Sequence, residues 1–229
     1  MNSKRYKNLT KAGDHSTLKS IKDLLTKVKS NCTAKFDESI DLSLQINNKQ
    51  KKGEVNIRTV VNMPSGTGKK IKIAVVCEDA KKVSAEKAGA DIVGSDDLIE
   101  KIKAGELNFE KIICTPKMMI SLSKLGKILG PKGLMPNPKL GTVTENIEEA
   151  VKSVKAGQVE IKNDKDGNIG VSIGKKSFTD DKILSNFNAI IETLEKEKGN
   201  NSFKGEMIKN IYLTSTMGIS YKLKLDKHF

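Results

Sequence analysis

Two kinds of apolar pattern follow one another along this chain, and their order most constrains the fold. In residues 40–46 and 55–63 every second position is apolar, which is typical of strands with one buried face. Residues 71–76 and 112–114 are instead compact apolar runs, as expected for parallel strands covered on both faces. Alternation returns in residues 159–173 and 211–225. Antiparallel segments therefore bracket a segment with the pattern of an α/β unit.

This order predicts two domains, one inside the other. Residues 1–66 and 158–229 are expected to form a discontinuous α+β domain, whose antiparallel sheet comes from both chain ends. Residues 67–157 are expected to form an inserted Rossmann-like, three-layer α/β domain. Glycines at both crossings predict a two-stranded hinge at Gly66, Gly68 and Gly157.

A β-hairpin is predicted after the second crossing. Residues 159–161 and 169–173 alternate on either side of the turn sequence DKDG, residues 164–167. We expect the two strands to pair with each other across this turn.

The charge of the chain indicates a polyanionic partner. The net charge is +13, and all 41 basic residues are lysines except Arg5 and Arg58. Lysine neutralises phosphate well but lacks the planar fork that reads base edges, which favours recognition of a folded RNA by shape and backbone. Residues 67–157 carry a net +4 and the remainder +9, so the outer domain is the expected main binder.

The first eleven residues hold four basic residues and no acidic residue. This composition predicts a flexible basic arm that becomes ordered on a polyanion.

Residues 127–144 are rich in proline and glycine, with three lysines and no acidic residue. Proline excludes a helix or central strand through residues 131–138. We predict a stiff, exposed, cationic loop with apolar tips at Leu134 and Met135. Loops of this length are usually functional, although a structural connection is the alternative.

Catalytic and metal chemistry find little support. The segment GTGKK lacks the first glycine and the Ser or Thr of a phosphate-binding loop, and no glycine-rich turn follows residues 71–76. Both histidines, His15 and His228, lie near the ends, and the three cysteines form no CxxC pair. We expect no catalytic residue, no metal and no cofactor, with Cys77 and Cys114 as buried small hydrophobes. No apolar run is long enough to span a membrane, so a cytoplasmic protein without a membrane partner is expected.

Two short segments have the composition of an RNA contact. TSTMG, residues 214–218, interrupts an alternating strand with three hydroxyls and a glycine, which suits either a strand-end bulge or a surface for ribose and phosphate. AKFDES, residues 34–39, places Lys35 beside Phe36 at a helix–strand junction. From the sequence pattern alone, Phe36 is more simply a core residue.

These segments also carry a family resemblance. AKFDES, PSGTGK, LGPKGLMPNPKLGTVT, KAGQV with NDKDG, and TSTMG occur in the order, and at about the spacing, of the bacterial ribosomal protein L-one family. The resemblance covers nearly the whole chain. It implies two domains joined by a hinge, a protein of the ribosomal stalk beside the tRNA exit site, and binding to a folded region of large-subunit RNA. It also implies contact with exit-site tRNA and repression of translation through the protein's own messenger RNA.

The resemblance places RNA contacts at particular residues and revises the interpretation of Phe36 and Met217. The implied main cluster is Lys35, Phe36, Ser39, Thr216, Met217 and Gly218, with Asn210 as a further contact. Secondary RNA contacts are expected at Arg5, Lys132 and Lys139. The free protein is expected to be a monomer. A stand-alone RNA-binding regulator and, with less support, a nucleotide-using α/β enzyme remain as alternatives.

Overall fold

The computed structural model of the protein describes residues 3–12, 20–47, 56–200 and 205–224. The chain divides into two compact units. Unit 1 comprises Met1–Gly68 with Val159–Phe229, and unit 2 comprises Lys69–Gln158. The chain therefore enters unit 2 after Gly68 and leaves it after Gln158.

Helices and strands are mixed in the chain order. The strands are β1 Ser39–Ile46, β2 Arg58–Asn62, β3 Ile73–Val76, β4 Ile92–Gly94, β5 Lys111–Cys114, β6 Gln158–Lys162, β7 Asn168–Lys175, β8 Ile208–Ser215 and β9 Tyr221–Leu223. The α-helices are α1 Lys4–Ala12, α2 Ile21–Ser30, α3 Lys82–Lys87, α4 Asp96–Lys103, α5 Pro116–Ser123, α6 Gly126–Leu129, α7 Ile147–Lys155 and α8 Asp180–Asn200. No helix in the described ranges is long and apolar enough to cross a membrane.

Unit 1 is built on an antiparallel sheet with the strand order β7-β1-β8-β9. The central strand β1 comes from the N-terminal part of the chain and its neighbours from the C-terminal part, so both chain ends form this sheet as predicted. The alternation in β1 is also confirmed, because its apolar side chains are all buried, namely Ile40, Leu42, Leu44 and Ile46.

Two helices cover the apolar face of this sheet. Helix α2 contacts β8 and β9, and helix α8 contacts β7. Each helix buries an apolar stripe at helical spacing: Leu24, Leu25 and Val28 in α2, and Ile183, Phe187, Ile190 and Leu194 in α8. The opposite face of the sheet carries the alternate polar residues, which include Ser43 and Gln45 of β1.

The predicted hairpin of β6 and β7 forms only beside its turn, where an antiparallel bridge joins Asn163 to Ile169. Strand β6 pairs with β2 in a separate two-stranded sheet, while β7 pairs with β1. The turn itself forms, since the N–H of Gly167 donates to the carbonyl of Asp164 at 3.2 Å. However, two hydrogen bonds join Asn163 to the backbone of Ile57. The Ile57 N–H donates to the side-chain oxygen of Asn163 at 2.6 Å, and the backbone N–H of Asn163 donates to the Ile57 carbonyl at 3.2 Å. These bonds tie the end of β6 to the segment before β2.

The predicted flexible basic arm is wrong over Lys4–Ala12, which forms helix α1. Leu9 packs against the core of unit 1, and the Thr10 hydroxyl donates to the Tyr6 carbonyl at 2.7 Å. The charge of this segment concealed the contribution of Leu9, because one partly buried leucine does not produce a recognisable periodic pattern.

Unit 2 contains a parallel sheet with the strand order β4-β3-β5. Ala74 and Val76 of β3 face one apolar cluster with α4 and α5, whereas Ile73 and Val75 face another with α3 and α7. Both faces of the central strand are therefore buried, as the compact apolar runs predicted.

The proline- and glycine-rich segment is only partly the exposed loop that was predicted. Residues 131–133 are exposed, and a short 3-10 helix follows at Pro138–Leu140. Leu134 and Met135, predicted to be apolar tips, are instead partly buried against the core of unit 2. Removing these two side chains from water outweighs the preference of the flanking prolines and glycines for an open loop.

Candidate nucleic-acid interface

Two loops of unit 1 meet at one end of the β1–β8 pair. Residues 31–38 lead from α2 into β1, and residues 216–220 connect β8 to β9. The N–H of Thr216 donates to the Ser39 carbonyl at 3.1 Å, and the N–H of Ser39 donates to the Thr216 hydroxyl at 2.9 Å. The hydroxyl of Thr216 thus takes the place of a backbone acceptor where the strand pairing ends, and it fixes one loop against the other.

Glu38 lies beneath both loops and is completely buried. One carboxylate oxygen accepts from the N–H of Ala34 at 2.9 Å, and the other accepts from the N–H of Met217 at 3.1 Å. Burial raises the pKa of Glu38. Hydrogen bonds from Ala34, Ser215 and Met217 and the charge of Arg5 lower this pKa by more than burial raises it, so the net shift is downward. The carboxylate is therefore ionised at neutral pH.

Arg5 connects helix α1 to the same loops. Its Nε donates to the Thr33 hydroxyl at 2.6 Å, and one of its terminal nitrogens donates to the carbonyl of Met217 at 2.9 Å. Both contacts use the guanidinium fork, which can hold two acceptors in a fixed geometry. The expected secondary contact residue Arg5 is therefore part of this cluster.

The two loops present large apolar side chains outward. Phe36 is 53% exposed and Met217 is 49% exposed, and Lys35 beside Phe36 is also exposed. Phe36 is thus not a core residue, contrary to the interpretation from pattern alone. Exposed apolar groups on a backbone held by hydrogen bonds are typical of a binding surface.

Gly218 occupies a position with no room for a side chain. A Cβ added there would lie 2.3 Å from the hydroxyl oxygen of Ser215, which is itself buried. The Gly218 N–H also donates to the Ser215 carbonyl at 3.1 Å, which tightens the turn after β8. A side chain at this position would force the Ser215 hydroxyl or the turn itself to move.

Asn210 is separated from the cluster. It lies five residues before Ser215 on β8, about 17 Å along the strand at 3.4 Å per residue. Its amide donates to the side-chain oxygen of Gln45 on β1 at 2.6 Å, on the polar face of the sheet. The structure therefore unites the six residues of the predicted main cluster at one sheet end and leaves the further contact, Asn210, farther along the same sheet.

Lys132 and Lys139 belong to unit 2. Both are exposed, Lys132 within the turn at residues 130–133 and Lys139 in the 3-10 helix at Pro138–Leu140. The side chain of Asn137 accepts from the Lys139 N–H at 2.9 Å and caps that helix. Both lysines are thus exposed cations of unit 2, whereas the main predicted contacts lie in unit 1.

The glycines at the crossings adopt backbone conformations that favour glycine. The φ angles are 68° at Gly66, 74° at Gly68 and 108° at Gly157. Gly157 follows the end of α7, where a positive φ closes the helix. The positive φ of Gly157 is explained by the end of α7, so it is no sign of a hinge. The hinge at Gly66, Gly68 and Gly157 stays a prediction.

Sequence reasoning missed two buried polar residues, Glu38 and Asn186. Asn186 of α8 donates to the carbonyls of Gly66 and Ile173 and accepts from the N–H of Ser65, so it holds the chain just before the crossing. The sequence did contain a signal for Glu38. It lies two residues before Ile40, so its side chain is expected on the same, inward-facing side of the strand as the core residues of β1.

The described residues offer little other site chemistry. Within them, no group of three His, Cys, Asp or Glu side chains is placed to hold a metal ion. Cys32, Cys77 and Cys114 are free and buried, and burial raises the pKa of the Cys114 thiol to about 12. Cys77 and Cys114 are thus the small buried residues that were predicted.

Comparison with known proteins gives consistent matches. The model of the ribosomal protein L1p/L10e family matches residues 28–219. The chain is 70% identical to the large ribosomal subunit protein uL1 of Pelagibacter ubique (strain HTCC1062), over 99% of each chain. It is 44% identical to the proteins of the same name from Rickettsia africae (strain ESF-5), over 91% of this chain and 87% of the relative, and from Chromobacterium violaceum, over 96% and 95%. The chain therefore belongs to the ribosomal protein L1p/L10e family, among its bacterial members.

Proposed function

We propose that this protein is a structural constituent of the large ribosomal subunit that binds a folded region of the large ribosomal RNA through unit 1. The observation that carries the proposal is the pair of loops in which Phe36 and Met217 stand exposed on a backbone fixed by the Ser39–Thr216 bonds. Membership of a family of ribosomal proteins supports the proposal, and it places the protein in the cytoplasm.

The contact chemistry of this site suits RNA. Hydroxyl and backbone groups at Ser39 and Thr216 can bond the ribose 2′-OH, which distinguishes RNA from DNA. Met217 and Phe36 can exclude water from those bonds and strengthen them in a lower local dielectric. Lys35 supplies charge for phosphate, and Asn210 extends the proposed contact along the sheet.

The remaining basic surface supplies the sequence-independent part of the affinity. A net charge of +13 favours any polyanion, and each neutralised phosphate releases counterions. Arg5, Lys132 and Lys139 are proposed as secondary contacts. For Lys132 and Lys139 we propose exit-site tRNA or adjacent ribosomal RNA as the target.

A mobile stalk role requires the two units to move as separate domains. We propose that residues 1–66 with 158–229 and the inserted Rossmann-like domain of residues 67–157 pivot at Gly66, Gly68 and Gly157, and that this movement assists release of deacylated tRNA from the exit site. The division of the chain into two compact units supports separate domains. The free protein is proposed to be a monomer.

Repression of translation is the second proposed activity. A single RNA site can serve both ribosomal RNA and a similar fold in the protein's own messenger RNA, so the geometry favours neither target over the other. The family of the chain favours a ribosomal role over a nucleotide-using enzyme.

The decisive experiment identifies the RNA before measuring the affinity. Crosslinking in cells, followed by sequencing of bound RNA, is expected to enrich one folded region of large-subunit RNA, with the protein's own message as a second peak if repression operates. Filter binding to that fragment in rising KCl should then show a steep loss of affinity, because counterion release is reduced. Enrichment without any large-subunit region, or an affinity that is flat in KCl, would contradict the proposal.

A further inference from the structure

The peptide units around Met217 are held from two distant parts of the chain. Glu38, 179 residues away in sequence, accepts from the Met217 N–H at 3.1 Å. Arg5, 212 residues away, donates to the Met217 carbonyl at 2.9 Å. A negative and a positive side chain thus fix both backbone polar groups of one exposed residue.

The same carboxylate fixes the second loop. The other oxygen of Glu38 accepts from the N–H of Ala34 at 2.9 Å, directly before Lys35 and Phe36. Each of the two large apolar side chains at the interface, Phe36 and Met217, therefore lies in or beside a backbone segment bonded to Glu38. The hydrogen bonds of Glu38 end in the loops that carry the proposed RNA contacts.

The N–H groups of Ala34 and Met217 need two acceptors from one side chain, and only a carboxylate provides both. An ionised glutamate is acceptor-only, whereas a glutamine has one acceptor and an NH₂ group that donates. In the Glu38 position, that NH₂ group would face either the Ala34 or the Met217 N–H and would leave it without an acceptor. A completely buried carboxylate is costly unless it is satisfied in this way.

We infer that Glu38, with Arg5 as its counterpart, is a positioning residue for RNA binding, which holds the 34–38 and 216–218 loops in their binding arrangement before RNA arrives. The inference rests on the proposed function, because it explains how the RNA site is preorganised. A site fixed in advance avoids the cost of ordering its loops when the ligand binds. Arg5 acts through the Met217 backbone in this arrangement.

The test compares Glu38→Gln with Glu192→Gln, a matched change at an exposed position of α8. Three quantities are measured: affinity for the crosslinked RNA fragment, affinity for poly(U) of equal length, and amide hydrogen exchange at Ala34 and Met217 in the RNA-free protein. Thermal melts run alongside.

For Glu38→Gln we expect a loss of about tenfold or more in affinity for the folded fragment, as for a lost hydrogen bond to a charged group. Affinity for poly(U) should stay within about twofold, since nonspecific binding depends on overall charge. Exchange at Ala34 or Met217 should become faster, and Glu192→Gln should change none of the three.

Arg5→Lys separates positioning from a direct phosphate contact. Lysine retains the charge but cannot hold the Thr33 hydroxyl and the Met217 carbonyl together. We expect weaker binding of the folded fragment and faster exchange of the loop amides. Unchanged exchange and affinity in Arg5→Lys would instead identify Arg5 as a simple charge contact.

If Glu38→Gln does not fold, Glu38→Asp keeps the charge and both oxygens on a shorter side chain, and it should lose affinity for the fragment in proportion to the increase in exchange. Wild-type affinity for the fragment in Glu38→Gln or Glu38→Asp, despite faster exchange, would overturn the inference. A wild-type protein that binds the fragment no better than poly(U) would overturn the proposed function instead, while the exchange data would still establish whether Glu38 holds the loops.

Discussion

The loops at residues 34–38 and 216–218 in unit 1 and the proline- and glycine-rich segment in unit 2 use apolar side chains in opposite ways. In unit 1, Phe36 and Met217 stand exposed while the backbone beneath them is bonded to Glu38 and Arg5. In unit 2, Leu134 and Met135 are partly buried against the core, and the exposed residues around them include 130–133, 138, 139 and 141.

This difference shows that loop composition is a poor guide to which side chains face a partner. Proline, glycine and lysine predicted an exposed cationic loop with apolar tips in unit 2, yet Leu134 and Met135 pack against the core of that unit. In the unit 1 loops, hydrogen bonds to Glu38 and Arg5 hold the backbone beside Phe36 and Met217. That leaves their apolar side chains free for a ligand.

The largest expected effect comes from Gly218→Val in unit 1. The new side chain would collide with the hydroxyl of Ser215 and displace the turn that carries Met217. We expect RNA binding to weaken by about 2 kcal/mol or more, the scale of a lost hydrogen bond plus displacement of an interface anchor. Filter binding with the folded RNA fragment measures this loss.

The matched control for Gly218→Val is Gly126→Val, since an added Cβ at Gly126 meets nothing within 4 Å. It should leave RNA binding unchanged. Gly218→Ala combined with Ser215→Ala should recover part of the affinity by removing the hydroxyl. Parental affinity in a Gly218→Val protein that melts normally would show that this turn is not the contact.

Met217→Asp and Met135→Asp test the two regions directly against each other. Met217 is half exposed, so its change should cost about 1–2 kcal/mol of RNA binding and little stability, because it places a negative charge against phosphate. Met135 packs against the core of unit 2, so its change should cost about 1–2 kcal/mol of stability through a buried charge and lost packing. Thermal melts and RNA binding on both variants measure the contrast.

The reverse pattern, with Met135→Asp impairing RNA binding in a stably folded protein, would move the primary interface to unit 2. Met217→Leu serves as the conservative control, since it keeps an apolar side chain of similar size. It should retain most of the affinity.

Much of the fold could be predicted because it depends on local periodicity. The inward positions of β1 and the doubly buried positions of β3 both follow from apolar spacing alone. The predicted hairpin formed only beside its turn, because the bonds between Asn163 and Ile57 tie β6 to a segment 106 residues away. Pairing between distant strands is decided by tertiary contacts that short-range patterns do not contain.

The exposed contact residues of the site could be predicted, but the buried hydrogen bonds that hold its loops could not. The exposed contacts, such as Phe36 and Met217, came from the family resemblance, whereas pattern alone favoured a buried Phe36. The buried support could not be inferred, because the Arg5–Met217 bond spans 212 residues and a lone basic residue in a basic segment gives no signal. Of these supporting residues, Glu38 alone could be inferred to point inward, because it lies two residues before Ile40.

Acid should weaken the unit 1 loops through Glu38 and Asp37. Hydrogen bonds from Ser177 hold the pKa of Asp37 below its usual range, and the pKa of Glu38 is lowered on balance despite burial. Since both pKa values are lower in the folded protein, the stabilisation is complete above the usual carboxyl range and is lost as the pH falls through the folded values. Melting temperatures should therefore be level near neutrality and fall in acid.

Glu38→Gln isolates one contribution to this pH dependence. The variant should be less stable near pH 7, and its melting temperature should fall less steeply toward acid than that of the parent, because the group that binds the proton is gone. Parallel curves for the two proteins would show that Glu38 does not take part in acid unfolding.

The smallest expected effect is that of a single exposed lysine. Lys132→Ala in unit 2 and Lys224→Ala in unit 1 each remove one exposed charge, which is worth about 1 kcal/mol or less. If Lys132 contacts phosphate, its loss should lower the salt slope of RNA binding by about one, with little change in preference for the folded fragment. A charge that makes no contact with phosphate would leave the salt slope unchanged.

Measuring both variants over the same KCl series therefore decides whether unit 2 contacts RNA at the exposed residues 131–133. A slope unchanged in Lys132→Ala, beside a large loss in Gly218→Val, would leave unit 1 as the primary RNA contact and would remove the proposed contact at Lys132.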